Sequence, residues 1–352
     1  TEWIIYLFAA LGSCLAALQE PAYSAAIPTL VPRKDLTRAN GLLQLSQSLQ
    51  SLAAPLLAGV LFGLIGLQGV FLIDFITYFF AVGALFFVKI PQPEAAPSES
   101  HGLRQVLQDA AYGWNYLRAK TGLFILMFYF ALVNFLLNFA AVLSSPLILS
   151  RETPAVAGVI QTVIGVGMLA GSVLISAWGG PKKRVPMLIA GIAIAGIGLI
   201  LIGISPNPII IGLGYFVMMF PIPIASGCSQ TITQMKIEPA AQGRTQAIRL
   251  MVSRSIMPLA FLISGPLADL AFEPAMREGG ALTASWVAEL LGTGPGRGMG
   301  LMFVIAGLLL LVVTFFAALE PRIRNIETDL PDMLPESPAS DDTPNAETSP
   351  AE

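Results

Sequence analysis

The sequence predicts an all-α membrane protein with nine transmembrane helices, grouped as three plus six around a polar linker. Three observations carry that expectation. Nine long apolar stretches run through the chain, at 3–31, 38–65, 68–88, 123–149, 155–178, 185–204, 208–233, 245–271 and 299–319. Each is long enough to cross a hydrocarbon core of about 30 Å as a helix. Of the 19 Lys and Arg residues, all but Arg151, Arg277 and Arg297 fall at one set of alternate span ends. Finally, hydrophobic residues make up 55% of the chain and charged residues 12%, with mean hydropathy +0.73. That apolar excess suits neither a soluble domain nor a disordered chain.

The elements follow in order. Residues 1–90 hold three spans with short connections, expected as a partial N-terminal bundle. A Pro-rich break, P-Q-P-E-A-A-P-S-E-S-H at 91–101, ends them. Within the linker 91–121, Leu103, Val106, Leu107, Ala110, Trp114 and Leu117 recur at helical spacing, flanked by Arg104, Arg118 and Lys120. That pattern predicts an amphipathic helix lying on the membrane surface. Residues 122–320 hold six spans, expected as a C-terminal bundle. Their last loop, 272–298, carries S-W-V-A-E-L-L and then G-T-G-P-G-R-G, which reads as a short interfacial helix followed by a turn. Residues 321–352 are expected as a disordered tail, because 325–352 hold no Lys or Arg and are rich in Pro, Ser, Asp and Glu.

Basic loops stay on the cytoplasmic side. The loops at 32–37, 89–122, 179–184 and 234–244 and the C-terminus are therefore expected in the cytoplasm, with the protein in the cell's cytoplasmic membrane. Nine crossings would then put Thr1 outside, with no signal segment ahead of it. The expectation is a chain continued upstream by further spans.

Enzyme chemistry is not expected. Cys14 and Cys228 sit apart in mid-span and His101 lies alone in a polar loop, which makes neither a disulfide framework nor a metal set. No Ser/His/Asp or Cys/His set and no Gly-rich phosphate loop is present, so no cofactor and no nucleic-acid partner is expected.

Polar side chains at membrane depth should face a bundle interior or a wet cavity. Asn40, Gln44, Gln47 and Ser51 recur at i, i+4, i+7 and i+11, one helical face. Asn134 and Asn138 form an i,i+4 pair beside Tyr129, and Gln230 pairs in the same way with Gln234. These residues either line a substrate cavity or tie helices together by hydrogen bonds. Phe124, Phe128, Phe130, Phe135 and Phe139 crowd the same span as Asn134, and amides beside aromatic walls suit amphiphilic organic molecules. Two carboxylates, Asp74 and Glu20, are candidates for proton coupling. The other reading makes Asp74 a hydrogen-bonded helix staple, assisted by Thr77 and Tyr78, and makes Glu20 part of a turn beside Pro21. Arg254 is expected to snorkel to the surface.

Three stretches carry a resemblance. One is E-P-A-Y-S-A-A-I-P-T-L-V-P-R-K-D-L-T-R-A-N-G-L-L-Q, from Glu20 to Gln44. Another is A-P-L-L-A-G, from Ala54 to Gly59, followed by F-L-I-D-F-I-T-Y-F at 71–79. The last is G-P-G-R-G at 294–298 with the later E-P-R-I-R-N-I-E-T-D-L-P-D. Together they resemble the major facilitator superfamily, in its macrolide-efflux and enterobactin-exporter-like branch, over the chain up to about residue 332. The resemblance implies that the first three helices of the family's fold are missing and that Asp74 falls on helix six. It also implies a gating loop at Gly179–Arg184, where Lys182, Lys183 and Arg184 keep the basic end but the family's Asp is absent. The family's helix-five antiporter motif is matched at Gly41, Pro55 and Gly59 and departed from at Gln50, Ala54 and Ala58. Pro55 is expected to kink its span. The implied activity is secondary active efflux of an amphiphilic small molecule by alternating access with proton antiport, in contact with membrane lipid. The alternatives are a truncated, non-transporting fragment and a lysophospholipid flippase of the same fold.

Overall fold

The computed structural model describes residues 23–87 and 103–333, and every regular element among them is helical. In lipid, backbone N–H and C=O groups have no water to turn to, and a helix satisfies them within one segment. Among the described residues, seven helical stretches are long and apolar enough to span: Leu64–Gly83, Thr121–Leu149, Pro154–Trp178, Arg184–Ile204, Pro208–Lys236, Pro239–Met276 and Arg297–Leu319. The expected count of nine is not reached in this set. Most of 3–31 lies outside the described residues, and 38–65 is helical without being one of the seven.

Helix α1 (Leu36–Phe87) follows a 3-10 turn at Arg33–Asp35. Its non-helical residue is Gly66, with φ 65°, between the expected spans 38–65 and 68–88. Gly66, without a Cβ, takes that positive φ at little cost; the side chain of Pro55, where a kink is expected, lies outside the described residues. Then come α2 (Leu103–Ala119), α3 (Thr121–Leu149), α4 (Pro154–Trp178) and α5 (Arg184–Ile204). They are followed by α6 (Pro208–Met219), α7 (Ile222–Lys236), α8 (Pro239–Ser255) and α9 (Met257–Leu267). After three short helical elements, Ala268–Phe272, Glu273–Met276 and Trp286–Leu291, α10 (Arg297–Leu319) closes the bundle.

Local chemistry sets several ends. Thr153 Oγ1 accepts from the Val156 N–H to cap α4, which ends at Gly179 with φ 80°. The Asn207 side chain accepts from the Ile209 N–H at 2.9 Å to cap α6. Pro154 and Pro208 occupy first-turn positions, where the missing N–H is no loss.

Helix α5 is well embedded, with Leu188, Ile192, Leu199 and Ile202 buried. It meets α6 and α10 across glycines: a Cβ at Gly214 would lie 2.8 Å from Ile202 N, and one at Gly307 would lie 2.7 Å from Gly196 O. Lipid tails are as apolar as leucine, so close van der Waals contact, not water exclusion, holds such helices together.

Helix α2 packs on the bundle along one side. Leu117 is fully buried, Trp114 meets Phe124 edge-on at 5.2 Å, and Asp109 pairs with Arg244 at 2.8 Å, while Val106, Leu107 and Tyr112 stay exposed. The tail is ordered through residue 333: Pro321–Arg324 and Ile326–Asp329 are short helices with Ile323 and Ile326 buried. Residues 334–352 lie outside the described residues. In the loop 272–298 the expected short helix is Trp286–Leu291, but two charges there are buried in capping roles. Glu273 accepts from Gly296 N at 3.1 Å and Met299 N at 2.8 Å, at the start of α10. Arg297 Nη2 donates to Gly203 O at 3.0 Å and Ile204 O at 3.1 Å, at the end of α5.

Candidate functional site

A cavity of about 490 Å³ lies between α1, α3, α7 and α8. Asn40, Gln44 and Gln47 reach it from α1, Asn134 from α3 and Gln230 from α7, so five of the amides singled out in the sequence converge there. Leu43, Met127 and Phe130 supply apolar wall.

Asn40, Asn134 and Gln230 also tie helices together, Gln230 by donating from Nε2 to Ser24 Oγ. Asn40 Nδ2 donates to Thr231 Oγ1 at 3.0 Å and Gln234 Oε1 at 2.7 Å. Gln234 Nε2 in turn donates to Ser24 O at 3.2 Å, which closes the cavity floor. Asn134 Nδ2 donates to Ser253 Oγ at 3.0 Å, linking α3 to α8. Lining and tying, which the sequence left as alternatives, coexist.

Other candidates stand elsewhere. Tyr129 is buried against α10, its hydroxyl 3.1 Å from Thr314 Oγ1. The adjacent Phe130 takes the cavity position instead, because one residue along a helix turns the side chain by about 100°. Asn138 Nδ2 donates to Asn134 O at 2.7 Å and does not line the cavity. Ser51 is exposed, and its hydroxyl donates to Ser48 O at 2.9 Å. At that level α1 turns Ser48 onto α4, Oγ to Oγ of Ser172 at 2.9 Å. Asp74 lies outside the cavity, in an exposed hollow with Phe71, Phe75 and Tyr78. The staple proposed for it is not formed: the Thr77 hydroxyl donates to the backbone oxygens of Ile73 and Asp74, at 3.0 and 2.9 Å. Glu20 falls outside the described residues, as do the side chains of Pro55 and Gly59.

Gly41 is a contact point, where a Cβ would stand 2.9 Å from Ser176 N. Lys182 and Lys183 are exposed, but Arg184 is engaged, its Nε donating to Thr37 Oγ1 on α1 at 3.0 Å. The carboxylate absent from this loop comes from the tail. Glu327 accepts from Arg184 N at 3.0 Å and Val185 N at 3.2 Å. Lys236 Nζ donates to Glu327 O at 2.7 Å and pairs with Asp332 at 3.0 Å, and Asp332 also pairs with Arg33 before α1.

Sequence reasoning missed Gln246, Arg249 and Ser253, which line the cavity from α8. The signal was available, since i, i+3, i+7 is one helical face. Arg249 was counted with the basic loop 234–244 and so was not read as an intramembrane charge.

The sequence profile of the Major Facilitator Superfamily matches residues 1–261. Macrolide efflux protein A of Streptococcus pyogenes is 27% identical over 282 residues, covering 76% of this chain and 66% of that protein. Macrolide efflux protein A of Enterococcus faecalis is 27% identical over 272 residues, covering 73% of this chain and 80% of that protein. The chain thus spans just under two thirds of the length of the streptococcal relative. A profile that extends across most of the sequence, over an all-helical scaffold with repeated membrane-spanning stretches, places this chain in the Major Facilitator Superfamily.

Proposed function

We propose that this chain is the larger part of a secondary active efflux transporter that moves amphiphilic small molecules by alternating access, driven by proton antiport. The observation that carries the reading is the cavity itself. It is a polar, amide-lined space with one apolar wall, set between α1 and the helices of residues 122–320. A carrier needs such a space where two helical bodies meet, so that rocking one on the other exposes it to either side. The names of the two relatives, both macrolide efflux proteins, support the direction of transport. In this reading residues 36–87 belong to the N-terminal bundle, residues 122–320 form the C-terminal one, and Asp74 is the coupling carboxylate. The basic end, with Lys120, Arg184, Lys236 and the docked tail, faces the cytoplasm.

The test is substrate accumulation in cells carrying the gene with whatever reading frame precedes Thr1, in cells making residues 1–352 alone, and in cells with neither. A macrolide and a fluorescent amphiphile serve as probes. The expected result is lowered accumulation in the first cells only, reversed by a protonophore. Accumulation equal to that of empty cells for every probe would remove the transporter reading. Full efflux by residues 1–352 alone would show that no further helices are needed.

A further inference from the structure

We infer that the cavity is built for an anionic amphiphile, whose acidic group is gripped by Arg249. The inference rests on the transporter reading only for the word substrate; the site itself is a matter of binding.

Arg249 projects from α8 into the cavity beside Gln246 and Ser253. Its three partners are all neutral and loosely held: Gln246 Oε1 at 3.1 Å, Ser229 Oγ at 3.3 Å and Gln230 Oε1 at 3.5 Å. Among the described residues no carboxylate lines the cavity. Basic groups at other packed positions are treated differently. Arg184 has Glu327, Arg244 has Asp109, Arg33 and Lys236 share Asp332, and Arg297 spans two backbone carbonyls. A guanidinium held by two amides and a hydroxyl has no counter-charge among the described residues that line the cavity. An intramembrane charge is costly and persists where it has work to do. The planar fork of five N–H donors matches two oxygens of a carboxylate or a phosphate. Gln44, Gln47 and Gln246 add amide donors around it, and Leu43, Met127 and Phe130 can take an apolar body. A protonated amine would meet like charge here and no counter-charge among the described residues.

The test is fluorescence titration of the full chain in zwitterionic lipid nanodiscs with three probes of shared shape. These are 11-(dansylamino)undecanoic acid, its methyl ester, and mono-dansylated 1,11-diaminoundecane as the amine. The acid is expected to bind about tenfold or more tighter than the ester, the scale of one charge-assisted contact, with the amine weakest. Arg249→Gln should erase the gap between acid and ester. Arg249→Lys, which keeps charge but not the fork, should retain part of it. Equal affinity for acid and ester in the unmodified chain overturns the proposal, even if no variant inserts. So does an undiminished gap in Arg249→Gln, or tightest binding of the amine. Binding needs no turnover, so the two readings fail separately. Acid preference without acid efflux from cells would count against transport alone, and amine efflux without acid binding against the anion site alone.

Discussion

The two halves of α1 are both apolar, yet they live in different surroundings. In the first, Asn40, Gly41 and Ser48 are buried against α4 and α7; in the second, from Leu64 to Gly83, nothing is buried. The second half is rich in large apolar side chains, among them Phe71, Phe75, Phe79 and Phe80, all exposed. The first half has a glycine at the contact with Ser176, a hydroxyl pair with Ser172, and an amide bonded to Thr231 and Gln234. Apolar content therefore decides which segments enter the membrane here, and small and polar residues decide which of them pack. That is the expectation for a solvent in which burying a phenylalanine gains little over leaving it in lipid.

The largest test of this contrast is Asp74, the one carboxylate of the unpacked half. Among the described residues no hydrogen bond reaches its carboxylate, and its neighbours Phe71, Ile73, Phe75 and Ile76 are exposed and apolar. A charge in hydrocarbon without a partner is costly, so taking up and releasing a proton there changes what the helix can tolerate. In the gene with its upstream frame, Asp74→Asn is expected to abolish uphill efflux while substrate binding stays measurable. Everted vesicles with an imposed proton gradient read the first, and probe titration reads the second. Pumping at the unmodified rate, with unchanged pH dependence, would return Asp74 to the apolar surface around it.

Packing is tested by a matched glycine pair. Gly41→Val would drive side-chain atoms into the Ser176 backbone, whereas a Cβ at Gly83 meets nothing within 4 Å. Overpacking of this kind costs about 1–3 kcal/mol, and a substitution into open space about 0.5 kcal/mol or less. Thermal unfolding in detergent should show a clear drop in Tm for Gly41→Val and almost none for Gly83→Val. Equal shifts would mean that the two halves of α1 are not differently packed.

Much of the scaffold was legible because its signals are local. Thr153-Pro154, Asn207-Pro208 and Gly179 mark helix ends by the chemistry of their own backbone. The cavity amides were legible because a polar side chain at that depth has few places to point: Asn40, Gln44, Gln47, Asn134 and Gln230 all reach it. What failed depends on neighbours distant in sequence. Tyr129 and Phe130 are both aromatic residues of α3, and only the placement of α10 decides that Tyr129 faces Thr314. Arg249 was hidden by proximity to a basic loop, a context in which an arginine ordinarily lies in water. The tail was misread because its composition is polar throughout, while its order comes from Arg33, Arg184 and Lys236, far away in the chain.

That tail supplies the smallest of the expected effects and extends the same rule to a polar segment. Glu327 sits at the N-terminus of α5, where it accepts from the free N–H groups of Arg184 and Val185 and stands 3.7 Å from the Arg184 guanidinium. A carboxylate there is favoured by the helix dipole and by the unsatisfied donors of the first turn. Glu327→Gln keeps the shape and one acceptor oxygen but removes the charge, so stability should fall by about 1 kcal/mol at low ionic strength. Salt screens such partly buried charges less than exposed ones, so the gap should narrow only slightly as salt rises. The control is Glu320→Gln, which loosens only a 3.9 Å pair with a largely exposed Arg322. A pair of that kind is worth between nothing and about 1 kcal/mol, so its Tm should barely move. If Glu327→Gln and Glu320→Gln give the same small shift at every salt concentration, the tail is not fastened by Glu327. The burial of Ile323 and Ile326 and the pairs of Asp332 with Arg33 and Lys236 would then have to hold residues 321–333 against the bundle.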